Sequence, residues 1–267
     1  PQQMNTPGAA PAPMPESADT VAARVAACEK RVVQLQQQLD AERGELQDFV
    51  YTVSHDLRAP LRHINAFAQI IAEDLVDMPP DIAGHLLTIR QSAQLLTQQL
   101  EGLSALSRLS HASVLVTAVD TVSLMQDVMQ GLLPHQTTRQ LQWQVAPDLP
   151  AVRADAKLLR QVFEQVIGNA IKFTRTRARA EVAVSWQSVA DGRCLISVQD
   201  NGVGFNPQQA DRLFKVFGKL HSVREFEGLG LGLLQCRKML ACMDASIAIS
   251  AQADAGCVVT LTLPLAL

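Results

Sequence analysis

Between Val25 and Val53 apolar side chains return at alternating steps of three and four residues. They are Val25, Cys28, Val32, Leu35, Leu39, Leu46, Phe49 and Val53, with Glu42 as the one break. This is a heptad seam, and no other feature narrows the folding options of the chain as much. A stripe this narrow cannot be buried by its own chain, so the spacing predicts a parallel two-stranded coiled coil. A helix lying on a globular core would carry a wider apolar face. Gly44 is the only weak helix former in mid-run, and no proline interrupts it.

The same helix should run on to about Leu75. Pro60 falls inside it, where a missing backbone donor and a ring pushed into the preceding turn predict a bend. The run Met78-Pro79-Pro80-Asp81 stops it. A second helix is expected from about Asp81 to Leu109, with Ile82, Leu86, Ile89, Ala93, Leu96, Leu100 and Leu103 on the same steps. Two amphipathic helices joined by a short turn make an α-helical hairpin, and two hairpins from two copies make a dimeric four-helix bundle.

Beyond His111 the apolar segments become short and alternating. Strands are expected at Val114 to Val119, Leu141 to Val145, Glu181 to Ser188, Cys194 to Gln199, Ser246 to Ser250 and Val258 to Leu263. Helices are expected at Val122 to Leu133, Ala156 to Phe173, Pro207 to Phe214 and Leu231 to Met243. Strands with helices to cover one face predict an α+β two-layer sandwich. The domain plan is a disordered, Pro/Ala/Gln-rich linker over 1–18, a coiled-coil signalling helix over 19–47, a helical hairpin domain over 48–111 and the sandwich over 112–267.

Composition serves mainly to exclude. The net charge of −3 comes from 23 basic and 26 acidic residues with no basic stripe, which argues against nucleic acid. No apolar run is long enough to span a membrane, and no signal peptide is visible. Starting at proline, the chain reads as a piece of something longer. Five cysteines without a CxxC pair fit reduced thiols in a cytoplasmic protein better than a disulfide framework or a zinc site.

Four local signals occur in order. In SHDLRAPLR, Ser54 to Arg62, His55 falls outside the heptad seam and should face solvent. An exposed neutral imidazole can attack a phosphoryl group, and the adjacent Asp56 can accept its proton and orient the ring. In QVFEQVIGNAIKF, Gln161 to Phe173, Gln165, Asn169 and Lys172 share one helical face. An amide oxygen can ligate Mg²⁺ and a lysine can support phosphates. In DNGVGF, Asp200 to Phe205, glycines allow a planar ligand to approach the backbone, and Asp200 can accept from an exocyclic amine such as that of adenine. GLGLGL, Gly228 to Leu233, opens a helix whose first amides suit phosphate. It has neither dinucleotide-fold nor Walker spacing. The stretch between the last two signals, with Phe214, Phe217, Lys219, His221 and Arg224, is expected to act as a mobile lid.

Taken singly, each signal is common; an exposed histidine on a helix is usually only solvated. In this order they resemble the H, N, G1, F and G2 boxes of sensor histidine kinases. That family joins a HisKA dimerisation hairpin to a GHKL (Bergerat-fold) ATP-binding domain. The resemblance covers about Leu46 to Leu263, and SHDLRAPLR with KLHSVREFEG looks most like the phytochrome-type branch.

The resemblance implies ATP-dependent autophosphorylation of His55, with Asp56 as general base, then transfer to an aspartate of a response regulator receiver domain. It implies ATP and Mg²⁺ as cofactors. Asn169 would bind the metal with a share from Gln165, Lys172 the phosphates, and Asp200 the adenine amine. Gly202 and Gly204 would shape that pocket, Lys219 would approach the γ-phosphate, and Gly228, Gly230 and Gly232 would wrap the phosphates. The implied partners are a second copy of the chain and an upstream sensor domain outside it.

Four positions depart from the family pattern. Gln165 stands where the N box usually begins with asparagine, and Met243-Asp244-Ala245 where many members have His-Gly-Gly. Val258 replaces a threonine usually near the adenine. Ala59 replaces the Thr or Asn, four after the phosphohistidine, that orients water in phosphatase-competent members, so phosphatase activity is expected to be weak. Gln165 and Val258 also leave open a degenerate module that dimerises and relays without kinase activity. A GHKL ATPase of the chaperone or gyrase kind is disfavoured. Those use an N-box carboxylate to activate water, which Gln165 cannot replace, and Glu164 points about 100° away on a helix.

Overall fold

The structure, a computed structural model, describes residues 18–75, 78–109, 113–132, 140–222 and 225–266. The expected linker up to residue 17, part of the hairpin turn, the last residue of the expected Val122 to Leu133 helix and Arg224 lie outside them. The chain divides into two units, Pro1–Thr52 and Val53–Leu267.

Helix α1 (Ala18–Asp74) supplies the described part of the first unit and continues into the second, passing through Gly44 and Pro60. In the first unit Val25, Val32, Leu35, Leu39, Leu46 and Phe49 all stand exposed, Phe49 by 65%. A row of large apolar side chains in water has no support from its own chain.

In the second unit the remainder of α1 and α2 (Pro80–Leu109) form a helical hairpin. Leu61 and Ala68 of α1 and Leu86 and Ala93 of α2 are buried. Ile82, Ile89 and Leu96, on the intervening steps, remain exposed, as do Ile64, Phe67 and Ile71. One chain therefore covers only about every second position of the α2 stripe.

The sandwich follows. Strand β1 (Thr117–Val119) pairs antiparallel with β3 (Val152–Ala154), and α3 (Thr121–Leu132) lies between them in sequence. The main sheet has five strands in the order β2-β4-β5-β7-β6. These are β2 (Gln140–Val145), β4 (Arg179–Val189), β5 (Arg193–Asp200), β6 (Ser246–Gln252) and β7 (Gly256–Pro264). Only the β2–β4 pair is parallel. Strand alternation sends Val182, Val184, Ile196, Val198, Val259, Leu261 and Leu263 into one core. There they meet Leu159, Phe163, Val166 and Ile167 of α4 (Ala156–Phe173), Met125 and Val128 of α3, and Met239 and Leu240 of α5 (Gly232–Ala241).

Two local outcomes differ from expectation, and one position that departs from the family pattern takes a special backbone form. The strand at Val114 is shorter, and its partner β3 is too brief to show alternation. Pro207–Phe214 is a 3₁₀ helix capped by the Asn206 side chain, which accepts from the Gln208 amide. At Met243-Asp244-Ala245, Asp244 adopts φ 53°, a left-handed conformation that aspartate tolerates better than most residues. Its carboxylate is held 3.0 Å from the Arg193 guanidinium.

Candidate nucleotide site and phosphoacceptor

Asp155 begins α4 by accepting from the Lys157 and Leu158 amides at 2.9 and 3.2 Å, which satisfies two otherwise free donors. With the apolar face of α4 turned to the core, spacing of four and three puts Gln165, Asn169 and Lys172 together on the wall of a 290 Å³ cavity. The Gln165 side-chain amide donates to Asn169 Oδ1 at 3.2 Å. Lys172 is largely enclosed. Burial lowers its pKa below the ordinary lysine value, opposed by Glu227 and reinforced by Arg175 and Lys219. A lysine so placed gains from an anion.

Strand β5 ends in Asp200, and period two puts this carboxylate on the same inward face as Ile196 and Val198. It is only 6% exposed. Burial pushes its pKa up to about 6, partly offset by hydrogen bonds from the Gly202 and Cys257 amides; the Gly202 bond is 2.8 Å. Gly202 thus sits behind Asp200 and does not line the cavity, whereas Gly204 does. Gly204 has φ 57°, and a Cβ there would run into the Gln252 carbonyl oxygen. Arg177 braces the turn, donating to the Asn201 and Gly202 carbonyls at 2.9 Å each.

Gly228, Gly230 and Gly232 line the same cavity, Gly228 beside Lys172 and Gly232 beside Gln165. Gly230, at φ 73°, lies so close to the Phe217 and Gly218 backbone that a Cβ would meet the Gly218 carbonyl oxygen at 2.8 Å. Leu231, between two of these glycines, packs with Leu106 of α2 and with Leu234. Lys219 lines the same cavity.

Gln165, Asn169, Lys172, Asp200, Gly204, Lys219, Gly228, Gly230 and Gly232 are therefore brought together. Their donor set fits a purine nucleotide: a buried carboxylate acceptor, two lysines and a glycine loop. A divalent cation would find the amide oxygens of Asn169 and Gln165, and would need phosphate and water to complete its shell. Among the described residues no cluster of three His, Cys, Asp or Glu offers a site of its own.

His55 and Asp56 do not line the cavity. They stand on α1, with side chains 67% and 71% exposed and Nδ1 to Oδ1 at 3.2 Å.

One expected position is corrected. Val258 does not line the cavity; Cys257 and Val259 do. Asp200 pairs with Cys257 across the β5–β7 ladder, so strand alternation turns Val258 to the other face. Counting back in twos along β7 from the apolar Leu263 and Leu261 reaches Val259 and then Cys257. Its thiol is raised to about 12 by burial and by the Asp200 charge, so it is a packing residue and not a nucleophile. Phe173, His221 and Phe226 also wall the cavity; all three fall within stretches singled out in the sequence, but none was given a role in the site.

Comparison with known proteins agrees with this geometry. Residues 154–267 match the family described as "Histidine kinase-, DNA gyrase B-, and HSP90-like ATPase". Residues 45–112 match "His Kinase A (phospho-acceptor) domain". Cyanobacterial phytochrome A of Nostoc sp. is 28% identical over 235 residues, 87% of this chain and 30% of that protein. Sensor histidine kinase RcsC of Escherichia coli is 29% identical over 225 residues, 81% of this chain and 23% of that protein. Full-length ShkA, crystallised in complex with AMPPNP, superposes with a TM-score of 0.59 at 25% identity, covering 82% of this chain and 46% of that one. The chain spans less than a third of the curated relatives named here. Among the described residues no helix is long and apolar enough to cross a membrane.

Proposed function

Because the chain belongs to the sensor histidine kinases, as the catalytic core of one, we propose that it moves the γ-phosphoryl group of ATP to its own His55. The group then passes to an aspartate on the receiver domain of a response regulator. The observation that carries this reading is the pairing, on one chain, of an exposed His–Asp dyad with a cavity built for a nucleotide.

Asp56 accepts the proton on Nδ1 of His55, which leaves the Nε2 lone pair free to attack. The new bond is N–P, the bond from phosphorus to the β–γ bridging oxygen breaks, ADP leaves, and Asp56 takes the imidazole proton. Asp200 accepts from the adenine amine, Gly202 and Gly204 hold the turn that carries it, and the amides of Gly228, Gly230 and Gly232 face the phosphates. Lys172 and Lys219 neutralise charge on the transferring group, so positioning and electrostatics do most of the work. Asn169, with Gln165 beside it, would hold Mg²⁺, whose role is to neutralise phosphate charge. AMPPNP in the similar ShkA structure supports ATP as the ligand.

The working unit in this reading is a homodimer in the cytoplasm, with an upstream sensor domain acting through the coiled coil over 19–47. The hairpin domain spans 48–111 and the ATP-binding domain 112–267; Val119, Leu124, Met125 and Val128 in the sandwich core support the early start of the latter. The exposed heptad seam and the half-covered α2 stripe support the dimer. Cys28 occupies a core position of the parallel seam and is exposed in the single chain. Mild oxidation is expected to give a disulfide-linked dimer that is lost in Cys28→Ser. A chain that stays monomeric by light scattering and does not cross-link would refute both register and dimer.

Phosphatase activity on the regulator should be weak. Ala59 is one turn beyond His55 on nearly the same face, and its methyl group cannot orient a water. Purified phospho-regulator, without ATP or ADP, should decay at its own rate beside the wild type and faster beside Ala59→Thr. Strong acceleration by the wild type would contradict this.

Incubation with γ-labelled ATP and Mg²⁺ tests the main proposal. The chain should acquire a label that is lost in acid and stable in alkali. Release of free phosphate with no labelled chain would point instead to a plain ATPase.

A further inference from the structure

The ring of His221 lines the cavity and meets residues from three separate segments of its wall. Its centroid lies 5.6 Å from that of Phe173 and 5.4 Å from that of Phe226, and those two are 5.0 Å apart, so the three rings close a triangle. Phe173 ends α4, the helix carrying Asn169 and Lys172, and Phe226 leads into the glycine loop. His221 Nε2 is also 3.0 Å from the Gly204 carbonyl oxygen in the turn after Asp200. A carbonyl can only accept, so Nε2 carries the proton and donates. One side chain therefore ties three separate parts of the site to the segment that bears Lys219, two residues earlier.

That segment follows the 3₁₀ helix and has no regular secondary structure through Ser222, so no ladder fixes the position of Lys219. Side-chain anchors must do so. The tilted and edge-on ring geometries are those aromatic groups favour, and the hydrogen bond sets the rotation of the imidazole. We propose that His221 is a positioning residue that sets Lys219 at the phosphate end of the cavity by joining its segment to Phe173, Phe226 and Gly204. This rests on the reading of Lys219 as a phosphate ligand.

The test uses the full chain and two probes, Mg-ATP and adenosine, with four variants. His221→Phe keeps a ring in the triangle and removes the donor to Gly204. It should weaken Mg-ATP about tenfold, the scale of one lost hydrogen bond, and leave adenosine unchanged. His221→Gln, with an amide N–H at similar reach, should recover most of that loss. Lys219→Ala should itself weaken Mg-ATP, and adding His221→Phe to it should cost little more, because the effect runs through Lys219. The rate of His55 labelling at saturating Mg-ATP should follow the same pattern.

Additive losses in the double variant would overturn the proposal, as would adenosine weakening in step with ATP, which would make His221 a base contact. Full ATP affinity in Lys219→Ala would remove both the Lys219 assignment and the proposal. A wild type that binds both probes yet acquires no label would refute the phosphoryl transfer alone, and the binding comparison would still decide His221.

Discussion

Replacing His55 with alanine is expected to abolish the acid-labile label while Mg-ATP still binds. The acceptor stands exposed on α1 and does not line the cavity. Loss of the nucleophile leaves nothing to carry the phosphoryl group, so the effect should be complete and not graded. Asp56→Asn should be graded, because removing a general base typically costs about 10²–10⁴-fold in rate. Label retained on the alanine variant would move the acceptor to another histidine, with His63 the first candidate. Loss of ATP binding in the same variant would mean that acceptor and pocket are coupled in a way the present geometry does not contain.

Asp200→Asn should act in opposite directions on stability and on binding. With a folded pKa near 6, above the ordinary 3.8, Asp200 favours the folded state below pH 4, and that contribution is lost as the pH rises through 6. At neutral pH an ionised carboxylate is therefore buried at a cost, on the order of 3 kcal/mol at about 1.4 kcal/mol per pKa unit. The asparagine variant should melt higher than the wild type at pH 7 without nucleotide, and the gap should narrow as the pH falls below 6. Binding should move the other way, since a charge-assisted bond to the adenine amine is worth roughly 1.5–3 kcal/mol, or tenfold and more in affinity. For the wild type, adenosine affinity should decline below pH 6 and level off above it; for the variant it should be flat. Adenosine avoids titration of the phosphates. A variant that neither gains stability nor loses adenosine affinity would mean the carboxylate does not face the base.

What was legible in the sequence follows from how local each signal is. Helix α4 was readable to its ends because an amphipathic period and a motif on the polar face agree over Ala156–Phe173. The strands of the main sheet were readable because one face is buried and the other is not. β3 was not, since three residues cannot display a period. The cavity's polar residues were visible because each sits in a recognisable local pattern. The triangle of Phe173, His221 and Phe226 was not visible as a unit, because nothing in a linear sequence says that rings 48 and 5 residues apart will meet. The misplacement at Val258 has the same origin: a motif fixes identity along the chain, whereas the side a residue faces depends on the strand's pairing.

That pairing has a consequence for how this protein can drift. Cys257 and Val259 face the cavity, Leu261 and Leu263 the core, and Thr260 and Thr262 the far side. Cys257 to Thr262 are held in phase by partners on both flanks, from Asp200 to Leu195 on one and from Ala251 to Ser246 on the other, and Leu263 pairs with Cys194 alone. Exchanging one side chain on β7 alters the packing at one position and leaves the others in phase. Adding or deleting one residue between Gly256 and Leu263 shifts the frame and turns core and cavity outward together. Variation along this strand is thus open to replacement and closed to changes of length, and new material in the sandwich has to enter at its loops.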